Sequence, residues 1–153
     1  MSDRTTLKSY FETGDTPTEA EFADLIDSLS LVNEAVIPIG IACSDETTDL
    51  TSGTAKATFR MPYAFELTEV RANVTTAPTG SLIMVDINEN GTTILSTKLT
   101  IDAGEKTSTT ATSQPVISDS SLADDAQITI DIDTIGSTIA GAGLKVWLIG
   151  NKV

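Results

Sequence analysis

From Val36 to the C-terminus, apolar side chains return at every second position and turn-forming residues break the runs at short intervals. A period of two suits a pleated strand with one buried and one wetted face, not a helix. The alternation is plain in Ala55-Lys56-Ala57-Thr58-Phe59-Arg60 and in Ile128-Thr129-Ile130-Asp131-Ile132-Asp133. It returns less cleanly in Leu144-Lys145-Val146-Trp147-Leu148-Ile149. The run Phe65, Leu67, Val70, Ala72, Val74 changes phase at Thr68-Glu69, which predicts a β-bulge there. Asn88-Glu89-Asn90-Gly91, between Leu82–Ile87 and Thr93–Ser96, predicts a hairpin turn, and Asp102-Ala103-Gly104-Glu105 a second turn. Roughly eight strands joined by short turns, with no helices to carry parallel crossovers, predict an antiparallel β-sandwich, most simply a jelly roll.

The first thirty-four residues obey another period. Leu7, Tyr10 and Phe11 stand at helical spacing, with Gly14 where a helix would stop. Thr16, Pro17 and Glu19 fit a helix start, as cap, first helical position and capping-box carboxylate. Phe22, Leu25, Ile26 and Leu29 then line one face, with Glu21, Asp24 and Asp27 off it. Two short helices are marginal alone in water, so this face must dock on something: its own β domain, a sister subunit or a larger assembly. The helices precede the β region as a block and do not interleave with it, so an external or intersubunit dock is expected. The chain therefore divides into a helical docking arm, 1–34, and a β-sandwich, 35–153. The mainly β fold is thus preceded by two short α-helices, and Leu7, Tyr10, Phe11, Phe22, Leu25, Ile26 and Leu29 are the candidate partner-docking residues.

Chemistry is hard to place on this chain. It has no histidine, which removes the commonest general base and metal ligand. Cys43 is the single cysteine, read as a buried structural thiol. No GxSxG elbow occurs, and no spacing selects a serine to pair with Lys56 or Lys98. Asp86–Gly91 opens like a calcium loop, but Thr97 stands where a bidentate glutamate is needed, so a hairpin is the better reading. Asp119, Asp124 and Asp125 read as loop acids, and Asp131 and Asp133 as a solvated stripe on one strand face. Aromatics make up 5% of the chain, too few for an evident sugar-binding platform, and Trp147 in its apolar strand is expected in the core. Gly141-Ala142-Gly143 lacks the strand–loop–helix setting of a phosphate cradle and reads as a flexible turn. Catalytic residues, metal ligands and cofactors are accordingly expected to be none.

Charge narrows the partners. Twenty-two acids against nine bases give a net −13, which argues against a nucleic-acid-binding surface. Residues 1–34 hold eight acids and two bases, a net −6, leaving −7 for the rest of the −13. An arm so acidic suits a receiving surface with exposed Lys and Arg. Met1-Ser2-Asp3-Arg4 lacks the apolar core of a secretory signal, and no stretch approaches the roughly 18 apolar residues of a membrane helix. Synthesis in a host cytoplasm, with no signal peptide and no membrane partner, is expected.

The segment Thr6-Leu7-Lys8-Ser9-Tyr10-Phe11-Glu12-Thr13-Gly14-Asp15, continuing from Pro17 through Ser28, resembles one that recurs at the N-terminus of tailed-bacteriophage virion proteins. The β region is similar to a domain of phage structural proteins through Phe59–Phe65, Thr76–Ser81, Asp86–Gly91, Ser118–Ala126 and Gly141–Val146. The resemblance implies a location on the virion and a capsid decoration (cement) protein, commonly a homotrimer, bound to the major capsid protein or other virion proteins. The alternative it leaves open is a tail or head fibre component that attaches to a host-surface glycan. It carries no functional-site residues across.

Overall fold

The computed structural model describes residues 4–14, 16–29 and 36–153. The chain divides into two compact units, residues 1–35 and 36–153.

In the first unit, α1 (Arg4–Ser9) is followed by a turn in which the Phe11 N–H donates to Lys8 O at 3.2 Å. Gly14 takes a φ of +99°, which only glycine adopts without strain. The second helix, α2 (Glu19–Leu29), starts two residues later than its sequence suggests. Two capping boxes overlap here, and the later one forms: the Thr18 N–H donates to Glu21 Oε2 at 2.7 Å and the Glu21 N–H to Thr18 Oγ1 at 3.3 Å. Thr18, not Thr16, is therefore the cap. Pro17 stays outside the helix, where its missing N–H costs nothing.

The second unit is all β: β1 (Ile37–Ala42), β2 (Gly53–Arg60), β3 (Phe65–Asn73), β4 (Ile83–Glu89), β5 (Thr92–Thr93), β6 (Leu95–Thr97), β7 (Leu99–Ile101), β8 (Val116–Ile117), β9 (Ser121–Leu122), β10 (Gln127–Thr134) and β11 (Lys145–Lys152). One sheet has the order β1-β11-β3-β9 and the other β2-β10-β4-β5, with β7 also on β4; β6 and β8 form a small third pair. All pairings are antiparallel. Counted from the two ends, the first strand pairs with the last, β2 with β10 and β3 with β9, while β4 turns back onto β5. This is one long ribbon rolled on itself, the jelly roll that the strand pattern predicts.

Local chemistry explains the ribbon's bends. Ile149 pairs with Glu69 but Gly150 with Leu67, so Thr68 is the extra residue of the predicted bulge; its hydroxyl donates to Ile149 O at 3.0 Å. Asn90 and Gly91 both have positive φ, 48° and 87°, the backbone of a tight hairpin turn whose twist matches that of the strands. At the second turn the Glu105 N–H donates to Asp102 O at 3.0 Å. Between the sheets lies an almost wholly aliphatic core: Leu67, Val70 and Ala72 of β3, Ile83, Val85 and Ile87 of β4, Ile128, Ile130 and Ile132 of β10, and Val146 and Leu148 of β11. Phe65 is its only buried aromatic ring among the described residues.

Three segments depart from their sequence reading. Trp147 is not in the core. Leu144, Val146 and Leu148 take the inward phase, so Lys145, Trp147 and Ile149 face outward. Gly141-Ala142-Gly143 is not a free turn: Gly141 O accepts from Leu50 N–H, Ala142 O from Thr75 and Thr76, and Gly143 N–H donates to Asp45 O. The acids of β10 are engaged rather than simply solvated. Asp131 accepts from the Ala55 N–H at 2.6 Å and from Asn88 Nδ2 at 3.1 Å, pinning the bulge where Ala55 has a φ of 50°.

Candidate functional site

The arm is the candidate site, and its geometry comes from three aromatic residues and one carboxylate. The Phe11 and Phe22 rings meet edge to face, with centroids 5.7 Å apart and planes at 72°. Beside them Tyr10 OH donates to Asp24 Oδ2 at 3.1 Å, tying the turn after α1 to the middle of α2. Leu7, Lys8, Phe11 and Leu25 line an open, mostly apolar depression of about 410 Å³. Six of the seven expected docking residues are therefore gathered on these two helices and the turn after α1. Leu29 closes α2, but its side chain lies outside the described residues.

Burial distinguishes this face from a finished core. Leu7, Tyr10 and Leu25 are half-buried, whereas Phe11, Phe22 and Ile26 are 45%, 48% and 61% exposed. Together those three side chains present roughly 300 Å² of apolar surface, worth about 7 kcal/mol gross if fully covered. Glu19, Glu21, Asp24 and Asp27 share α2 with Phe22 and Ile26. The hydrogen bonds from Thr18 hold the Glu21 carboxyl below its ordinary range, so the negative charge at the start of α2 persists into mild acid. Chemically, the site can bind an apolar surface and favours one with basic residues around it.

The groups singled out for possible chemistry are engaged with neighbouring residues. Burial pushes the Cys43 thiol up to about 12, keeping it a neutral thiol, and Sγ lies 3.7 Å from Ile41 O. Lys56 Nζ donates to Thr51 Oγ1 at 2.6 Å. Lys98 joins two carboxylates, 2.5 Å from Asp133 Oδ2 and 2.9 Å from the buried Asp86 Oδ2. Asp86 also accepts from Thr93 Oγ1 at 2.6 Å, so the calcium-like segment is a hairpin braced by a hydrogen bond between its two strands. Asp119 accepts from the Ser121 N–H within its own turn, and Asp125 pairs with Arg60 at the end of β2. Among the described residues, no three His, Cys, Asp or Glu side chains converge to hold a metal ion. Among them too, no helix is long and apolar enough to cross a membrane.

Sequence reasoning misses the outward face of β11 and its neighbours. Trp147 is 37% exposed there, lies against Gly40 of β1 and donates from Nε1 to Asn73 Oδ1 of β3 at 3.0 Å. The one sequence signal is the phase: Trp147 is two residues from Lys145 and shares its outward face. No family model, curated protein or solved structure matches this chain.

Proposed function

We propose that this chain is a non-enzymatic structural protein of a tailed-phage virion, a capsid decoration protein that binds the assembled major-capsid lattice and stabilises it. The observation that carries the reading is the division of labour between its units. The jelly roll has a complete core of its own, while the arm keeps Phe11, Phe22 and Ile26 at its surface. The sequence resemblance supplies the virion setting, and the acidic arm supplies complementarity to a basic, apolar receiving surface. A ligand that binds only the assembled shell stabilises it by mass action, with no reaction required. Trimerisation belongs to the same proposal, as an expectation of the resemblance.

Quantitative gels and averaged density of purified particles test it. Hundreds of copies spread over the shell, lost when the capsid lattice is dissociated, are the expected result. Copies in the tens, confined to the tail or to a head fibre, would transfer the protein to host attachment. Absence from particles overturns both readings.

A further inference from the structure

We propose that the outward face of the β1-β11-β3 sheet is a binding site for a neutral carbohydrate, with the indole of Trp147 as the stacking platform. The ring is fixed at both ends. A Cβ built on Gly40 would lie 2.6 Å from Cζ3 of Trp147 and 2.9 Å from each flanking carbon, Cε3 and Cη2. Three distances so nearly equal describe a point above the ring's face; an approach from its edge would leave the flanking carbons much farther away. The benzo ring therefore lies flat on β1, where only a glycine leaves room for it. At the other end, Nε1 donates to Asn73 Oδ1 on β3 at 3.0 Å. The indole thus spans three strands parallel to the sheet, with one face covered and the other turned to solvent.

The surroundings favour a neutral partner over an ion. At 37% exposure, the ring offers roughly 90 Å² of apolar surface. The open side of the ring matches the apolar face of a single pyranose. The flanking charges cancel: Arg71 donates to Glu69 through Nε at 2.6 Å and Nη2 at 2.9 Å, and Lys145 Nζ lies 2.5 Å from Glu46 Oε1. Beside the ring, Gly40, Ile41, Ala42, Lys145 and Trp147 line a depression of about 210 Å³. Lys145 spends two of its three N–H groups on Glu46 and the Gly143 carbonyl, which leaves one to meet a sugar hydroxyl. A ring already held in place loses little side-chain freedom on binding.

Trp147 is the chain's only tryptophan, so its emission reports this face alone. The probes are maltoheptaose, cellohexaose, chitohexaose and mannohexaose, titrated into the full-length protein and followed by fluorescence and by saturation-transfer NMR of the sugar protons. At least one should give a saturable emission shift with a dissociation constant on the order of 1 mM. Trp147→Ala should weaken that binding about tenfold or more by NMR. Trp147→Phe, a milder change that keeps an aromatic face, should fall between, and Gly40→Ala, which displaces the ring, should match the alanine variant. Silence from all four sugars at millimolar concentration overturns the proposal, as does NMR binding that survives Trp147→Ala. An emission shift that follows protein concentration without sugar would assign the face to a second copy and overturn it as well. None of these outcomes depends on where the protein sits on a particle.

Discussion

The two units handle their apolar residues in opposite ways. In the β unit, strands remote in sequence bring Ile128, Ile130 and Ile132 against Ile83, Val85 and Ile87, and all six are essentially sealed from water. In the arm, an aromatic contact and a tyrosine hydrogen bond tie the turn after α1 to α2, and Phe11, Phe22 and Ile26 remain at the surface. All twenty-five buried apolar residues among those described fall between Cys43 and Leu148. The β unit thus contains what a fold needs, whereas the arm's apolar face is stabilised only when something covers it. A helix of α2's length is marginal in isolation, so covering the face and ordering the helix are coupled gains.

The largest expected effect separates the units by function. Full-length protein with Phe22→Asp and Ile26→Asp should lose capsid association outright, while the main thermal transition of the β unit stays in place. Co-sedimentation with particles and calorimetry read the two quantities separately. Retained association would show that the arm's apolar face is not the docking surface. A displaced main transition would show that the units are not independent.

Core truncation probes the same contrast by stability. Ile130→Ala, at a position with no exposed surface, should destabilise the β unit by about 3–4 kcal/mol in urea unfolding. Phe22→Ala, which removes a larger side chain from a half-exposed position, should move that transition by less than about 0.5 kcal/mol. Similar costs for the two would erase the distinction.

Sequence alone makes much of this contrast legible because much of it is local. Periodicity marks α2 and β10, a phase slip marks the bulge at Thr68, and Asn90-Gly91 marks the hairpin, since each depends on neighbouring residues only. What depends on contacts between distant strands is not legible. Trp147 reads as core until the inward phase of β11 is fixed by Val146 and Leu148, and only the β1 register sets it against Gly40. Asp86 reads as the opening residue of a calcium-like hairpin segment, yet β4 carries it into a nearly buried position where Lys98 compensates it. The arm's docking residues are readable as a set, but the choice between the overlapping caps at Thr16 and Thr18 is not, because both satisfy the same spacing.

That buried carboxylate gives a smaller test within the β unit. Lys98→Met removes the ammonium shared by Asp86 and Asp133 and leaves Asp86 nearly buried without its counter-charge. With Lys98 partly exposed, the cost should be about 1–2 kcal/mol, less than that of breaking a fully buried pair. Asp133→Asn, which keeps the Lys98–Asp86 contact, should cost less than Lys98→Met. Equal costs would mean that the buried carboxylate is not what the lysine serves.

The smallest expected effect is a change in the shape of the acid limb. Asp45 Oδ1 accepts from the Thr48 N–H at 2.7 Å and the Thr47 N–H at 2.9 Å, which holds its carboxyl down at about 2. A carboxyl lowered on folding contributes stability that is complete above its unfolded value, near 4. That contribution is lost as pH falls through about 2. Asp102, held down by Thr112, and Glu46, held down by Lys145 and Thr75, act with the same sign. Asp45→Asn should therefore flatten the pH dependence of β-unit unfolding between about 4 and 2. Glu21→Gln removes the equivalent titration at the cap of α2: it should lower the helical signal at neutral pH, by a deficit that closes as acid protonates the native carboxyl, while leaving the β-unit limb unchanged. If Glu21→Gln reshapes the β-unit limb instead, arm and jelly roll unfold as one cooperative body. The arm's apolar face would then be stabilised within the chain, with no need of a particle.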